Sequence, residues 1–279
     1  MNGFILVNKE TGISSNRVVQ EIKNKIKAKK VGHLGTLDPL ADGLLVLAIN
    51  RATKFSNHFL ESDKSYDVRV QLGISTDTDD STGNIIFESN DLPSKEEVKD
   101  KLFSFLGESM QIPPFFSALK HKGKPLYKYA RQGEFISKPP RKIIIRNIQN
   151  FRYRNKICSF KLHCSKGTYV RSIARDLGEG LGCGAHMKSL TRLSQADFHL
   201  SNANNISDVT KQDIISIETA FKIFKRISID SNEAKKFING VKIPKSNISD
   251  IILRVFNEKD IFLGIGEIKD NNLKHKQLV

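Results

Sequence analysis

Residues 32–49 read GHLGTLDPLADGLLVLAI and join a glycine-rich acidic turn to an uninterrupted apolar run. The turn holds Asp38 directly before Pro39, with His33 close by in the sequence. The run over residues 44–49 is typical of a buried strand. A carboxylate in a loop that feeds a rigid strand is typical of a functional site, whereas an aspartate that only caps a turn before proline is the structural alternative.

Hydrophobic periodicity predicts the elements around this turn. Strands are expected over residues 4–7, 65–73, 84–88, 142–148 and 156–165. Helices are expected from about residue 15, after a capping box of Ser94 and Glu97, over residues 125–132, from Tyr169, and over about 211–225. The helix after Ser94 should turn Val98, Leu102, Phe105 and Leu106 inward and stop at Gly107. Strands outnumber helices and follow at hairpin spacing, so the predicted class is α+β with a largely antiparallel mixed sheet flanked by helices.

The chain is strongly basic, with 279 residues, a formal net charge of +15 and a sequence pI of about 9.7. Such a field attracts phosphate polymers and anionic membranes. No apolar run approaches the roughly 18 residues of a spanning helix, and the amino terminus lacks the pattern of a secretory signal. These features favour a cytoplasmic protein that binds nucleic acid, with nucleotide bias in the gene as the alternative source of the lysines.

Positive charge is concentrated between residues 113 and 142, where Glu134 is the only acid. Such clustering predicts a local surface that binds phosphate, and a solvated charged hairpin is the alternative. The basic residues of this span are Lys120, Lys122, Lys124, Lys128, Arg131, Lys138, Arg141 and Lys142.

The three cysteines, Cys158, Cys164 and Cys183, contain no Cys-x-x-Cys pair, which argues against a disulfide framework. Cys164 and Cys183, together with His163 and His186, could in principle gather around zinc. Their spacing matches no usual ligand pattern, so no metal site is expected.

Eight separated segments resemble the bacterial tRNA pseudouridine-55 synthase family, TruB, in the same order along the chain. They are KETGISSN from residue 9, VGHLGTLDPLADGLL from 31, ATKF from 52, DKSYDVRVQLG from 63, TDTDD from 76, IPPFFSALKHKGKPLYKYARQG from 112, HCSKGTYVRSIARDLG from 163 and LGCGAHMKSLTRL from 181. They sample residues 1 to about 195, and an ordered set of this kind is specific.

The resemblance implies a pseudouridine synthase fold with a central RNA cleft. It also implies isomerisation of the uridine at position 55 in the T-loop of tRNA, by base flipping and without a cofactor. The expected partner is the T-arm of tRNA. Neither a membrane nor an obligate protein partner is expected, and the expected state is a monomer.

The resemblance places the essential aspartate of the family on Asp38, its active-site tyrosine on Tyr66 and its active-site arginine on Arg171. A carboxylate can act as nucleophile or proton acceptor when uracil is detached, and the residues leave both routes open. The Arg171 guanidinium would keep a partly buried Asp38 ionised. A flat Tyr66 ring could stack on uracil while its hydroxyl handles a proton.

Residues expected to contact RNA share a basic or aromatic side chain and a match to family positions. His33 is expected to hold the T-loop when the base leaves its stack, and Lys9 to be either structural or phosphate-facing near the cleft. The full set is His33, Lys9, Lys54, Lys120, Lys124, Tyr127, Lys128, Arg131 and Tyr169.

The sequence divides into an expected catalytic domain over residues 1–225, with an RNA-clamping insertion over about 113–142, and a small unit over 226–279. That unit is short for the PUA module of the family, so a reduced, PUA-like β unit is expected. A second departure is Glu10, which stands where the family commonly has proline. The alternatives in function are a chaperone that opens the tRNA elbow with little catalysis and a relative that depends on a guide RNA.

Overall fold

The computed structural model describes residues 1–245 and 248–279. Its α-helices are α1 (Ser15–Lys25), α2 (Ser56–Leu60), α3 (Lys95–Phe103), α4 (Leu126–Ala130), α5 (Val170–Gly180), α6 (Ile217–Ala220) and α7 (Ser231–Ile238). Short 3₁₀ turns lie at Asn50–Phe55, Leu200–Asn202 and Lys211–Asp213.

The strands of the first 224 residues are β1 (Gly3–Lys9), β2 (Val31–His33), β3 (Asp42–Ile49), β4 (Lys64–Leu72), β5 (Ile74–Thr76), β6 (Ile85–Glu88), β7 (Gly107–Gln111), β8 (Lys120–His121), β9 (Lys124–Pro125), β10 (Arg141–Arg154), β11 (Ile157–Cys164), β12 (Ala185–Gln195), β13 (Phe198–His199), β14 (Asn204–Asn205) and β15 (Ile215–Ser216). The remaining strands are β16 (Lys225–Ile229), β17 (Ile243–Pro244), β18 (Ile251–Asn257), β19 (Phe262–Lys269) and β20 (Asn272–Leu278).

A large mixed sheet in the order β14-β1-β3-β12-β4-β11-β10-β7 forms the body of the protein. Its pairings are antiparallel except β1 with β14 and β3 with β12. The parallel pair places Gly43, at the start of β3, opposite Arg192 of β12. The predicted α+β class with a largely antiparallel mixed sheet is confirmed.

Helices α1, α3 and α5 cover one face of this sheet and complete its main core. Helix α1 begins after the Ser14 cap, whose hydroxyl accepts from the Arg17 amide. Lys23 and Lys25 lie in its last turn, where positive charge interacts favourably with the negative end of the helix dipole. Helix α3 has the predicted capping box of Ser94 and Glu97.

The opposite face of β1 and β3 carries an aromatic cluster built around Phe4, Phe59, Phe198 and Phe221. Phe59 stacks on Phe198 with ring centroids 5.2 Å apart. Ile265 of the carboxyl-terminal sheet joins this cluster. The cluster therefore packs the second sheet against the first.

The carboxyl-terminal strands form a five-stranded sheet in the order β16-β18-β19-β20-β17, with α7 packed on it through Phe237. The pairing of β16 with β18 is parallel and the other three are antiparallel. The small carboxyl-terminal β unit predicted from the sequence is confirmed.

Two predicted elements differ from the structure. Residues 211–225 do not form one helix: β15 pairs with β1, α6 has four residues, and Phe221 turns into the aromatic cluster. The apolar residues of this segment make separate contacts with distant strands, and these override helical periodicity. Helix α3 ends at Phe103, so Leu106 lies beyond it and is 43% exposed, contrary to the predicted inward position.

Candidate active site

The candidate catalytic carboxylate, Asp38, lies in the loop between β2 and β3. The Ala41 amide donates to the Asp38 carbonyl at 3.1 Å and closes a tight turn. Gly35 in the same loop has φ +141°, a conformation that favours glycine. The Asp38 side chain is 38% exposed. The loop thus holds a carboxylate that a ligand can reach.

The KETGISSN segment forms hydrogen bonds to the loop that carries Asp38. The Ser15 hydroxyl accepts from the Leu37 amide and also donates to the Leu37 carbonyl, both at 2.8 Å. The Gly12 amide donates to the Pro39 carbonyl at 2.7 Å. These bonds hold Leu37 and Pro39, the residues on either side of Asp38. They explain why the KETGISSN segment, which precedes the turn in the sequence, occurs together with it.

Lys9 is fully buried, which contradicts its predicted contact with RNA. Its Nζ donates to the carbonyls of Glu10 at 2.9 Å, Ile13 at 2.8 Å and Pro39 at 3.4 Å. Lys9 is therefore a structural residue that ties β1 to the loop, the first of the two roles expected for it. Glu10 is exposed and contributes its carbonyl to this bond.

Lys9→Met is expected to change how stability depends on pH. Burial lowers the pKa of Lys9 from 10.5 to about 8, so between these values the unfolded chain binds a proton that the folded protein lacks. Stability from this group therefore rises with pH over that range. In urea unfolding, the free energy of unfolding of the wild type, relative to that of Lys9→Met, should increase by roughly 2 kcal/mol between about pH 8 and 10.

The control for that measurement is Lys99→Met, which removes an exposed lysine of α3. Its difference from the wild type should stay constant with pH. A constant difference for Lys9→Met as well would contradict the burial of a charged amine at this position.

Arg171, in the first turn of α5, holds the Asp38 carboxylate. Its Nε lies 2.9 Å from Asp38 Oδ2, and its side chain is 5% exposed. The other guanidinium nitrogens donate to the Thr78 carbonyl at 3.2 Å and the Phe116 carbonyl at 2.8 Å. The expected ion pair between Asp38 and Arg171 is therefore present. Through the Thr78 and Phe116 carbonyls, Arg171 also binds the loop after β5 and the basic insertion.

The acidic loop after β5 adds a second carboxylate that sequence reasoning assigned no role. Asp80 Oδ2 lies 3.8 Å from Arg171 Nε. Asp80 Oδ1 accepts from the Thr78 hydroxyl and the Thr82 amide, each at 2.9 Å. The loop was marked by its acids and by the match of TDTDD to the family, but its distance in sequence from Arg171 concealed the contact.

Tyr66 lies on the inward-facing side of β4 and is 7% exposed. Burial raises its pKa to about 12, against the opposing effect of the adjacent Arg192 guanidinium. The phenol is therefore protonated at neutral pH. Tyr66 and Asp38 line the same cavity, which brings the predicted catalytic residues Asp38, Tyr66 and Arg171 together.

The cleft has two chambers that share Asp38 and Arg171. The outer chamber has a volume of about 580 Å³ and includes His33, Asp80 and Tyr127 in its wall. The inner chamber, of about 290 Å³, is lined by Lys64, Tyr66, Arg141, Tyr169 and Arg192 among others. The Asp38 carboxylate thus lies where the two chambers meet, and the smaller chamber is lined by several cationic side chains.

Three family models match consecutive parts of the chain. The model described as TruB family pseudouridylate synthase (N terminal domain) matches residues 23–170, more than half of the chain. The tRNA pseudouridylate synthase B C-terminal domain matches 171–222, and the pseudouridine synthase II TruB C-terminal model matches 226–279. The chain belongs to the TruB family.

Full-length relatives agree with this membership in the TruB family. A protein of Methylobacillus flagellatus named tRNA pseudouridine synthase B is 39% identical over 275 residues, covering 96% of this chain and 91% of the relative. One of Psychromonas ingrahamii with the same name is 38% identical over 98% of this chain and 94% of the relative.

Solved structures show the same fold at low identity. A Cbf5-Nop10-Gar1 complex contains a chain with a TM-score of 0.73 and 21% identity, covering 99% of this chain and 84% of that one. A chain in the structure of an H/ACA RNP bound to a substrate RNA containing 2'-deoxyuridine has a TM-score of 0.72 and 19% identity, covering 99% of this chain and 84% of that one. The pseudouridine synthase fold expected for a TruB family chain is confirmed.

His33 lines the outer chamber of this TruB family site. Its Nδ1 is buried without a hydrogen-bond partner among the described residues. Burial, aided by the Arg192 charge, lowers the pKa of its ring. The imidazole of His33 is thus neutral at neutral pH, and it lies at the wall of the cleft with its Nδ1 buried.

The basic insertion forms the β8–β9 hairpin and the short helix α4. The Lys124 ammonium lies 4.4 Å from the centre of the Tyr129 ring and donates to Gln132 at 2.6 Å. The Arg131 guanidinium lies 5.5 Å from the Tyr127 ring, and both residues line the outer chamber. Lys120 and Lys128 are exposed. The insertion therefore presents cations along one rim of the cleft.

Tyr169 and Lys54 occupy different places. Tyr169 lies in the wall of the inner chamber with the Arg141 guanidinium 4.3 Å from its ring centre. Lys54 lines neither chamber, contrary to its expected position near the cleft. It lies at a separate depression with Lys29, Lys30 and Arg51.

Within residues 1–245 and 248–279, no group of three or more His, Cys, Asp or Glu side chains is placed to hold a metal ion. Cys158, Cys164 and Cys183 are free and buried, and burial raises the pKa of each thiol. No helix in the same residues is long and apolar enough to cross a membrane.

Sequence reasoning missed Arg192 and Gln195, two buried polar residues of β12. Arg192 contacts the loop that carries Asp38, and Gln195 donates to the Leu34 and Phe59 carbonyls. The available signal was an arginine placed on the inward face of a strand, where an apolar residue is the rule.

Proposed function

We propose that the chain converts the uridine at position 55 in the T-loop of tRNA to pseudouridine. Its TruB family relatives carry the name tRNA pseudouridine synthase B at 36 to 39% identity over nearly the whole chain. The single observation that carries the proposal is the pair of Asp38 and buried Arg171 in a chamber shared with Tyr66. The pair holds the Asp38 carboxylate in a fixed position at the wall of a chamber that a ligand can enter.

The proposed reaction begins when the bond between C1′ of the sugar and N1 of the ring breaks and its electron pair leaves with the ring. Asp38 either bonds to C1′ or accepts the C2′ proton, and both routes start from the ionised carboxylate. The ring then turns so that C5 bonds to C1′, Asp38 leaves C1′ or returns the proton to C2′, C5 loses its proton, and N1 gains one. No other group enters the product, so no cofactor is needed.

Tyr66 serves two parts of this reaction. Its ring offers a flat apolar surface to the displaced uracil. Because burial raises its pKa to about 12, the hydroxyl acts as a protonated group that passes its own proton on as it accepts another. The step that it assists is removal of the C5 proton: the hydroxyl oxygen accepts the proton from C5 as the phenol's own proton leaves, N1 gains a proton, and the phenol is regenerated.

RNA reaches Asp38 through the outer chamber. Extracting the base costs a few kcal/mol of stacking, and contacts to the reshaped T-loop offset it. His33, Tyr127 and Arg131 line this chamber and supply these contacts, with Lys120, Lys124 and Lys128 along the insertion. Tyr169 adds a wall to the inner chamber, and the cationic depression at Lys54 takes a more distant phosphate.

The proposed enzyme has a catalytic domain over residues 1–225, with the clamping insertion at 113–142, and a reduced PUA-like RNA-binding domain over 226–279. The chain works as a monomer in the cytoplasm, without an obligate protein partner. The separate five-stranded sheet that starts at Lys225 supports this division.

The test uses T-arm RNA carrying tritium on C5 of the target uridine. Purified wild-type protein should release tritium to solvent in more than stoichiometric amounts, because the C5 proton is lost in each turnover. Binding of the RNA without release would instead support a chaperone that only opens the tRNA elbow. A T-arm with cytidine at the target position should compete for binding and give no product.

Removing charge from the insertion should weaken binding without slowing chemistry. The double variant Lys128→Gln and Arg131→Gln should raise the Kd of T-arm RNA about tenfold and reduce the salt dependence of log Kd by about two units of slope. Its single-turnover rate at saturating RNA should match the wild type. Lys95→Gln and Lys99→Gln in exposed helix α3 form the matched control, and an equal loss of affinity there would contradict a local clamp.

A further inference from the structure

Arg192 is a buried arginine outside the three residues expected to do the chemistry. It lies on β12, directly opposite Tyr66 of β4 in the antiparallel register, and is 1% exposed. Opposed residues of neighbouring strands point to the same face of the sheet, so the two side chains lie next to each other. Both line the inner chamber that contains Asp38.

The guanidinium of Arg192 binds both ends of the catalytic loop. Its Nε donates to the Leu44 carbonyl at 2.7 Å and its Nη2 to the Gly35 carbonyl at 3.0 Å. Leu44 follows Asp38 and Gly35 precedes it. One planar side chain thus fixes the span across the turn that carries the carboxylate.

No described carboxylate pairs with this charge. The group that favours the charged form of Arg192 is Tyr66, while burial opposes it. A lysine could not replace it, because a single ammonium cannot reach two carbonyls and a hydroxyl with fixed directions. Arg192 therefore joins the loop of Asp38 by two hydrogen bonds and lies beside Tyr66 on the neighbouring strand.

We propose that Arg192 is a positioning residue that sets the Asp38 loop and the Tyr66 hydroxyl in one geometry for the isomerisation. This inference rests on the proposed function, because the two groups must act on the same nucleotide. It differs from the role of Arg171, which contacts the Asp38 carboxylate itself. Arg192 instead contacts the backbone on both sides of Asp38 and lies beside Tyr66.

The first test compares Arg192→Lys with Arg69→Lys, an exposed arginine of β4. Arg192→Lys should lower the single-turnover rate of tritium release about 100-fold, because a displacement of the loop by about 1 Å has that effect. The Kd of T-arm RNA should stay within about twofold of the wild type, because phosphate contacts lie elsewhere. Arg69→Lys should leave both values unchanged.

A double-mutant cycle separates positioning of Tyr66 from general stability. In a Tyr66→Phe background, Arg192→Lys should lower the remaining rate by about tenfold rather than about 100-fold, because only its effect on the Asp38 loop remains. The same 100-fold loss in both backgrounds would overturn the link to Tyr66. An unchanged rate in Arg192→Lys alone would overturn the proposal outright.

Two further measurements do not depend on these outcomes. Amide hydrogen exchange of residues 34–41 should be faster in Arg192→Lys and unchanged in Arg69→Lys, and equal exchange in all three proteins would contradict the clamp. This readout needs no turnover, so it decides on the clamp even if the wild type releases no tritium, a result that would reject the proposed function instead.

If Arg192→Lys does not fold, Gly35→Ala disturbs the contact from the loop side, because its Cβ would lie 3.4 Å from Arg192 Nη1 at a φ of +141°. It should lower the rate at least about tenfold with the Kd unchanged, and a wild-type rate would overturn the proposal.

Discussion

Asp38→Asn is expected to reduce tritium release from T-arm RNA by a factor of about 10⁴ or more. Asparagine keeps the size of the side chain and can still accept from the Arg171 guanidinium. It can neither attack C1′ nor take the C2′ proton at a useful rate. The loss therefore falls on the chemical step by either route.

Binding should survive this substitution. The phosphate contacts lie on the insertion and on other cations, so the Kd of T-arm RNA should stay within about threefold of the wild type. Asp67→Asn is the matched control, since this aspartate is the exposed neighbour of Tyr66 on β4. Equal release by Asp38→Asn and the wild type would remove Asp38 from the mechanism.

Arg171→Met is expected to lower the single-turnover rate about 10³-fold, because it removes the guanidinium that holds the Asp38 carboxylate by the 2.9 Å contact. It also strands the Thr78 and Phe116 carbonyls, which accept from the same group. The free energy of unfolding should fall by about 1 to 3 kcal/mol, since Asp38 remains partly solvated and the two carbonyls are part-buried.

Arg171→Lys separates charge from geometry. It retains the positive charge but cannot reach all three acceptors, so its rate should lie between those of Arg171→Met and the wild type. Arg154→Met, at an exposed position of β10, should change neither rate nor stability. A wild-type rate in Arg171→Met would contradict the role of the ion pair.

The sequence predicted the parts of the protein whose signals are local. The apolar run after Gly43, the alternation around Tyr66 and the Ser94 capping box each correspond to an element of the structure. Asp38 stood out because a carboxylate among glycines precedes a buried strand. Its partner Arg171 followed from the family resemblance, and its geometry required the structure.

What the sequence could not predict depends on contacts between distant segments. Lys9 and Arg192 are bonded to carbonyls 30 and 157 residues away, at Pro39 and Gly35. Carbonyl acceptors carry no side-chain signal, so the sequence left Lys9 with two possible roles, structural or phosphate-facing, and gave Arg192 none. Residues 211–225 failed for the same reason, because Phe221 packs on Phe4 and Phe59 rather than along a helix.

The most direct measurement is a map of pseudouridine in a full-length, unmodified tRNA transcript after incubation with the purified protein. The expected result is one pseudouridine per molecule, at position 55 in the T-loop, formed by the wild type and missing with Asp38→Asn. An unmodified T-loop, or pseudouridine only at other positions, would contradict the proposed function.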